Sequence, residues 1–307
     1  MAALGLAAHN FVPDHKAMWI ARFRLASICL VVFALASIFP ARASAQDLGP
    51  ARLAFARGAF AEAAALARPV ATAEGLAFAA RAAIVEGDFI APPPERRAIL
   101  LRAEADARAA IALDPQNLEG HLCLALALGF IGRMDGSLAA HFAGYAAEAR
   151  AHIDRALALD PNSAWAHALL GGWNLEIVRD GGMIGETIYG ASLDQGLAAY
   201  ARALSLEPDN VAIAYQYALQ LIALGGPLHR IEAKRALATA LNAEPQDELG
   251  RLARRRAQRL KLVLDTRDDA ALRAILHEQL GQFENVTLPQ NAPRPGNVHP
   301  GAIGSPR

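Results

Sequence analysis

The chain has 307 residues, and its thirty basic side chains balance thirty acidic ones, so it carries no global field that would draw in nucleic acid or an acidic membrane surface. Its apolar share is 54 % while aromatics contribute only 6 %, and alanine supplies much of that apolar fraction. Alanine is the strongest helix former and is small enough for helices to approach closely, so composition alone favours an all-α fold.

The N-terminus reads as a secretion signal. Arg22 and Arg24 form a positive flank, Leu25 to Phe39 is apolar and uncharged, Pro40 breaks the run, and Ala43-Ser44-Ala45 offers the small residues that a signal peptidase reads. Residues 1–45 are therefore assigned as a signal peptide cleaved after Ala45, with Met18 as an alternative start to Met1. The apolar run is about fifteen residues, short of the roughly twenty that cross a bilayer. An uncleaved anchor is the alternative; after cleavage no stable membrane span is expected. The expected compartment is periplasmic or secreted. Beyond the leader only Cys123 remains, so no intramolecular disulfide forms.

Ala51 to Pro69 predicts one or two short helices with a turn at Arg57 to Phe60. Gly75 to Glu86 predicts a further helix, GDFIAPPP (Gly87 to Pro94) a break, and Glu95 to Leu113 a long helix ending before Pro115. A phrase then recurs: apolar residues at three- and four-residue spacing, an acidic residue and a proline, at Pro115, Pro161, Pro208 and Pro245. Proline disfavours helical geometry in the residue before it, which ends each helix. The residue two after the proline (Asn117, Ser163, Asn210 and Asp247) is placed to accept the orphan N–H groups of the next helix. Each unit is thus a helix, a tight turn and a helix.

The second helices carry a small–large–small pattern: Ala149, Ile153 and Ala156; Gly196, Tyr200 and Ala203; Ala233, Leu237 and Ala240. His121, Leu124, Ala125 and Leu128, and then His167, Leu170, Gly171 and Asn174, mark the first helices. These units resemble the tetratricopeptide repeat, although the proline spacings of 46, 47 and 37 depart from a 34-residue period. The extra residues fall between the two helices of a unit. The Gly-rich stretch Arg179 to Ser192 is read as an ordered loop or lengthened helix ends, with Ser192 as the next N-cap. Glu248 to Leu264 and Asp268 to Phe283 predict two terminal helices that cap the stack. Residues 285–307, rich in Pro, Gly and Asn, are assigned as a disordered tail.

HIDRALALDP (His152 to Pro161), LLGGWNLEIV (Leu169 to Val178) and IYGASLDQGLAAYARAL (Ile188 to Leu204) narrow the resemblance. They are similar to the tetratricopeptide-like domain of the regulator-of-microtubule-dynamics proteins and to bacterial exported proteins of that type. The resemblance implies a helical fold and protein–protein contact, not catalysis. The expected fold is an all-α, tetratricopeptide-like solenoid of antiparallel helix pairs over residues 46–284.

No spacing of metal-ligating residues is present. His121 and Cys123 point to different faces, and His141 and His152 lie roughly 16 Å apart along a helix axis. Glu176 and Asp180 are four apart, but nothing supplies a nucleophile or an orienting partner, so neither catalysis nor a cofactor is expected. Arg251, Arg255 and Arg259 share one stripe of a helix, a candidate basic contact face whose plainer reading is a solvated surface. The favoured site is the concave face. Trp165, Gly172, Glu176 and Arg179 recur on one helix face, and Tyr215 of the following first helix is expected beside them; aromatics and arginine are the residues that anchor interfaces. Trp173 is assigned to the core, and Asn174, in a slot suited to a bulky apolar group, is expected to pin the Gly-rich stretch. The expected function is an exported, non-enzymatic scaffold or adaptor holding a protein or peptide partner, the alternative a small-ligand-binding module serving a transporter.

Overall fold

The computed structural model describes residues 47–266 and 268–280; the assigned signal peptide and tail lie outside them. Those residues form thirteen α-helices and no strands, the all-α fold read from the sequence. In chain order they are α1 Gly49–Ala56, α2 Phe60–Ala67, α3 Ala73–Val85, α4 Pro93–Leu113, α5 Leu118–Asp135, α6 Ser137–Phe142, α7 Tyr145–Leu159, α8 Ala164–Tyr189, α9 Leu193–Leu206, α10 Val211–Leu224, α11 Pro227–Asn242, α12 Glu248–Thr266 and α13 Asp269–Leu280. The expected break at Gly87 to Pro94 is only partly one: Glu86–Ile90 is a π-helical turn that extends α3, and the chain turns at Ala91 and Pro92.

The turn chemistry operates at every repeated proline. Asn117, Ser163 and Asn210 each accept a backbone N–H three residues on, at 2.7, 3.2 and 3.0 Å, and Asp247 accepts that of Gly250 at 2.8 Å. The small–large–small residues of α7, α9 and α11 are all buried. Small residues set the helix spacing. A methyl group on Gly171 would lie 2.5 Å from the Tyr200 ring, and one on Gly196 would lie 2.5 Å from Leu175.

The insertions are helical. α6 fills the first. In the second, α8 is interrupted at Gly182, whose φ of +52° is one that L side chains rarely adopt. The chain there doubles back: Gly185 packs on Ile177, and the Tyr189 ring lies 6.3 Å from that of Trp173. Asn174, fully buried, fastens this helical hairpin by accepting the Ser192 N–H at 3.0 Å while donating to the Leu170 carbonyl at 2.9 Å. Trp173 is core, its indole N–H donating to Ala146. His141 at the end of α6 meets the Tyr189 hydroxyl at 2.5 Å, so the two insertions brace each other.

α12 does more than cap. Its Arg256 reaches back to the π-turn, forming a 3.0 Å ion pair with Asp88, donating also to the Asp88 carbonyl and lying 3.9 Å over the Phe89 ring. Leu252 is buried in the same apolar cluster as Phe55, and Glu248 touches Gly58. The last pair therefore returns to the first. Asp88 is 6 % exposed and the Arg256 side chain 11 %.

A second contact joins α5 to α7. His121 is buried, and its Nε2 lies 3.2 Å from the Pro115 carbonyl, which can only accept; its Nδ1 then accepts from His152 Nδ1–H at 2.8 Å. The pairing of His141 with His152 weighed from sequence does not occur: His141 turns to Tyr189 and His152 to His121.

Three expectations follow. Gly171→Ala, which must displace a buried ring, should cost about 1–3 kcal/mol, whereas Gly129→Ala, where an added methyl meets nothing within 4 Å, should gain about 0.5–1 kcal/mol from helix propensity; thermal melts of the two variants check this. Asp88→Ala should cost about 3–5 kcal/mol by stranding a buried guanidinium, and Asp88→Ala/Arg256→Met should recover much of it, as denaturant titration would read. Burial first, then His121, lowers the pKa of His152 below its ordinary 6.5. The unfolded chain thus binds more protons, so this stability is complete above about pH 6.5 and is lost as pH falls through the lowered value. His152→Gln should flatten the fall in melting temperature between pH 7 and 5.

Candidate functional site

The first helices of the pairs, α3, α5, α8 and α10, face inward together with α1 and α12, and enclose a groove of about 250 Å³. Its body is apolar, with Leu126 and Phe130 from α5 and Trp165 and Leu169 from α8 among its walls. The groove exists because these helices present a second apolar stripe besides the one buried against their partners. Trp165 remains partly exposed although it packs against the C-terminal core.

Several of its polar groups form connected sets. Arg81, set over the rings of Phe55 and Phe78, pairs with Glu119 at 3.2 Å. Elsewhere Arg133 of α5 pairs with Glu176 of α8 at 3.3 Å and lies over the Phe130 ring. Glu176 accepts from the Gln220 side chain at 2.8 Å, the Gln220 carbonyl oxygen accepts from Arg179 at 2.9 Å, and Arg179 pairs with Asp180. Burial would lower the Arg179 pKa, but the hydrogen bond to Asp180 and the charges of Glu176 and Asp180 raise it further, so the guanidinium stays charged. The charges of this network balance, and it holds three inner helices in register.

The five residues read as the groove divide. Trp165, Gly172 and Glu176 line it. Arg179 stands behind the wall, positioning Gln220. Tyr215 does not belong: it is fully buried in the C-terminal core, donating to Gln279 of α13 at 3.2 Å. The cause is that α10 is apolar nearly all round, so periodicity alone leaves its rotation open. Its signal lay in Gln216 and Gln220, a glutamine pair four residues apart in that apolar helix, and both line the groove. Phe130 and Arg133 of α5 also line the groove and were not singled out from the sequence. Glu176 and Asp180 are each paired with an arginine, Arg133 and Arg179 respectively.

The basic stripe is exposed as expected, but it is paired. Arg251 and Arg255 share Glu248, and Arg259 meets Glu278 at 2.7 Å. Among the described residues no group of three His, Cys, Asp or Glu side chains is placed to hold a metal ion, and no helix is long and apolar enough to cross a membrane. Burial pushes the Cys123 thiol well above its ordinary pKa, so this groove-lining cysteine is held as a poor nucleophile.

No curated protein matches the chain. A family model described as regulator of microtubule dynamics protein 1-3 matches residues 67–261, from the last residue of α2 to the middle of α12, and so takes in the principal groove-lining helices α3, α5, α8 and α10. Spanning nearly two thirds of the sequence, that match places the chain in the regulator of microtubule dynamics protein 1-3 family.

Proposed function

We propose that this protein is an exported, non-enzymatic adaptor that seats an apolar segment of a protein partner in its central groove. The observation that carries the reading is the groove itself: an apolar space of about 250 Å³ walled by the inner helices, with Trp165 partly exposed and a charge-balanced network at Glu176. Family membership supports a helical protein-interaction domain. The groove is below the roughly 300–1,000 Å³ of small-molecule sites, which favours a few anchoring side chains of a larger partner over a whole small ligand. Balanced charges favour an apolar anchor over a charged one, because an unpaired ion brought against this wall would lose water without gaining a free counter-charge. Export rests on the pattern of Arg22 and Arg24, the apolar run and Ala43 to Ala45.

Trp165→Ala should weaken partner capture at least tenfold, as expected for a central aromatic anchor, while leaving the helical circular-dichroism signal intact. Photocrosslinking from position 165 in the native host, followed by mass spectrometry, is the measurement. Equal capture by the variant, or a small molecule retained in the groove with no protein crosslinked, would overturn the reading.

A further inference from the structure

The two helical insertions carry an apolar face that the groove does not use. On α6, Leu138 and Phe142 are 70 % and 81 % exposed; past the Gly182 turn of α8, Met183, Ile184 and Ile188 are 81 %, 73 % and 55 % exposed. Four of the five most exposed large apolar side chains among the described residues thus fall in two short segments. Others, such as Leu53 on α1 and Leu262 on α12, are the only ones on their helices, and single exposed apolar residues are ordinary on a surface. None of the five lines the groove.

The pattern is the inverse of a solvated helix. Leu138 and Phe142 stand four apart, as do Ile184 and Ile188, so each pair shares one helix face. The inward positions go instead to small residues: Ala140 sits against Gly132, and Gly185 against Ile177. The base beneath these side chains is fixed. His141 Nδ1 meets the Tyr189 hydroxyl at 2.5 Å, one residue from Phe142 and one from Ile188, which brings the two segments side by side. The Tyr189 ring in turn lies against that of Trp173, and Asn174 holds Ser192 beyond it.

Area and charge indicate what covers such a face. At these exposures the five side chains offer roughly 700 Å² of accessible surface, above the roughly 300–600 Å² of the largest patch on a typical monomer and close to the roughly 800 Å² that each partner gives to a stable interface. Gly136 to Ala147 carries no Asp, Glu, Lys or Arg, and Gly181 to Leu193 carries only Glu186. Helices that lie on membranes set Lys and Arg around their apolar face, and these segments have neither. A nearly uncharged face can meet its own copy without setting like charges opposite one another.

We propose that this face joins two copies of the chain across a twofold axis, with α6 and the Met183–Tyr189 turns of one protomer packed on those of its partner. The inference goes beyond the adaptor reading, because it concerns a surface distinct from the groove. It also gives the assembly two grooves, so a partner with two apolar segments gains avidity that one groove cannot supply.

Sedimentation equilibrium of the protein as its host processes it, at about 50 µM, should give a dimer; this lies above the micromolar limit of the weakest interfaces of such size. Phe142→Asp/Ile184→Asp, which brings carboxylates together across the axis, should raise the dissociation constant at least hundredfold, with the helical circular-dichroism signal unchanged. Leu53→Asp/Leu262→Asp, at similar exposure, should leave the dimer intact. A monomer at that concentration, a dimer that survives in the first variant, or a dimer lost in both would overturn the proposal. So would flotation of the unaltered protein, as a monomer, with phosphatidylcholine vesicles, which would assign the face to lipid. Hydrogen exchange on the unaltered chain gives a second reading. Amides of 137–143 and 183–189 should exchange at least tenfold more slowly in the dimer than in the monomer reached by dilution; protection confined to other segments would place the interface elsewhere.

Discussion

A carboxylate and a guanidinium from opposite ends of the domain, Asp88 and Arg256, meet almost out of reach of water. Taking two charges from solvent is expensive, and their attraction offsets this only where geometry and further hydrogen bonds are good. Both conditions hold. Arg256 donates to the side chain and to the backbone carbonyl of Asp88 and lies over Phe89. Burial would lower its pKa, yet the Asp88 charge and Tyr215 raise it by more, so it stays charged. Because of this contact α12 is not simply the last of a row of inner helices. It is the piece that brings the row back to its start, with Leu252 buried beside the N-terminal cluster. The inward faces of α3, α5, α8 and α10 then surround a bounded space instead of an open trough.

The second constraint is distance. Helices come close only where one side offers no bulk, and the sequence places alanine or glycine at those points. Tyr200 shows how a single large residue uses the allowance. Its ring lies over Gly171, its hydroxyl approaches Gly172, and it stacks at 4.7 Å on Tyr217 of the next pair. One side chain thereby couples α9 to α8 and α10, and it also forms part of the groove wall. Core packing and site shape are here the same contact, so a change in one is felt in the other.

Local signals were the legible ones. The acidic-proline turns, the caps at Asn117, Ser163, Asn210, Asp247 and Ser192, and the small residues of α7, α9 and α11 each depend on neighbours a few positions away, and these positions behave as read. The hairpin within α8 was half-legible: Asn174 announced a polar contact, but nothing in a run of glycines says which of them turns the chain. What escaped was long-range. Tyr215 was misplaced because a helix apolar on every side carries no record of its rotation. Arg256, on the same helix as the stripe of Arg251, Arg255 and Arg259, gave no sign of its role, since its partner lies 168 residues away. His121 and His152 were separated by the same limit, their contact being set by how α5 crosses α7.

The return of α12 to the first pair bears on how such a domain comes apart. In a linear stack each unit touches only its neighbours, so the outermost ones fray and protection against solvent falls away toward both ends. A stack whose final member is bonded to its first has no outermost unit in that sense. Freeing its last pair requires breaking the Asp88–Arg256 seam as well as the interface with its neighbour, which favours loss of structure in one concerted step over peeling.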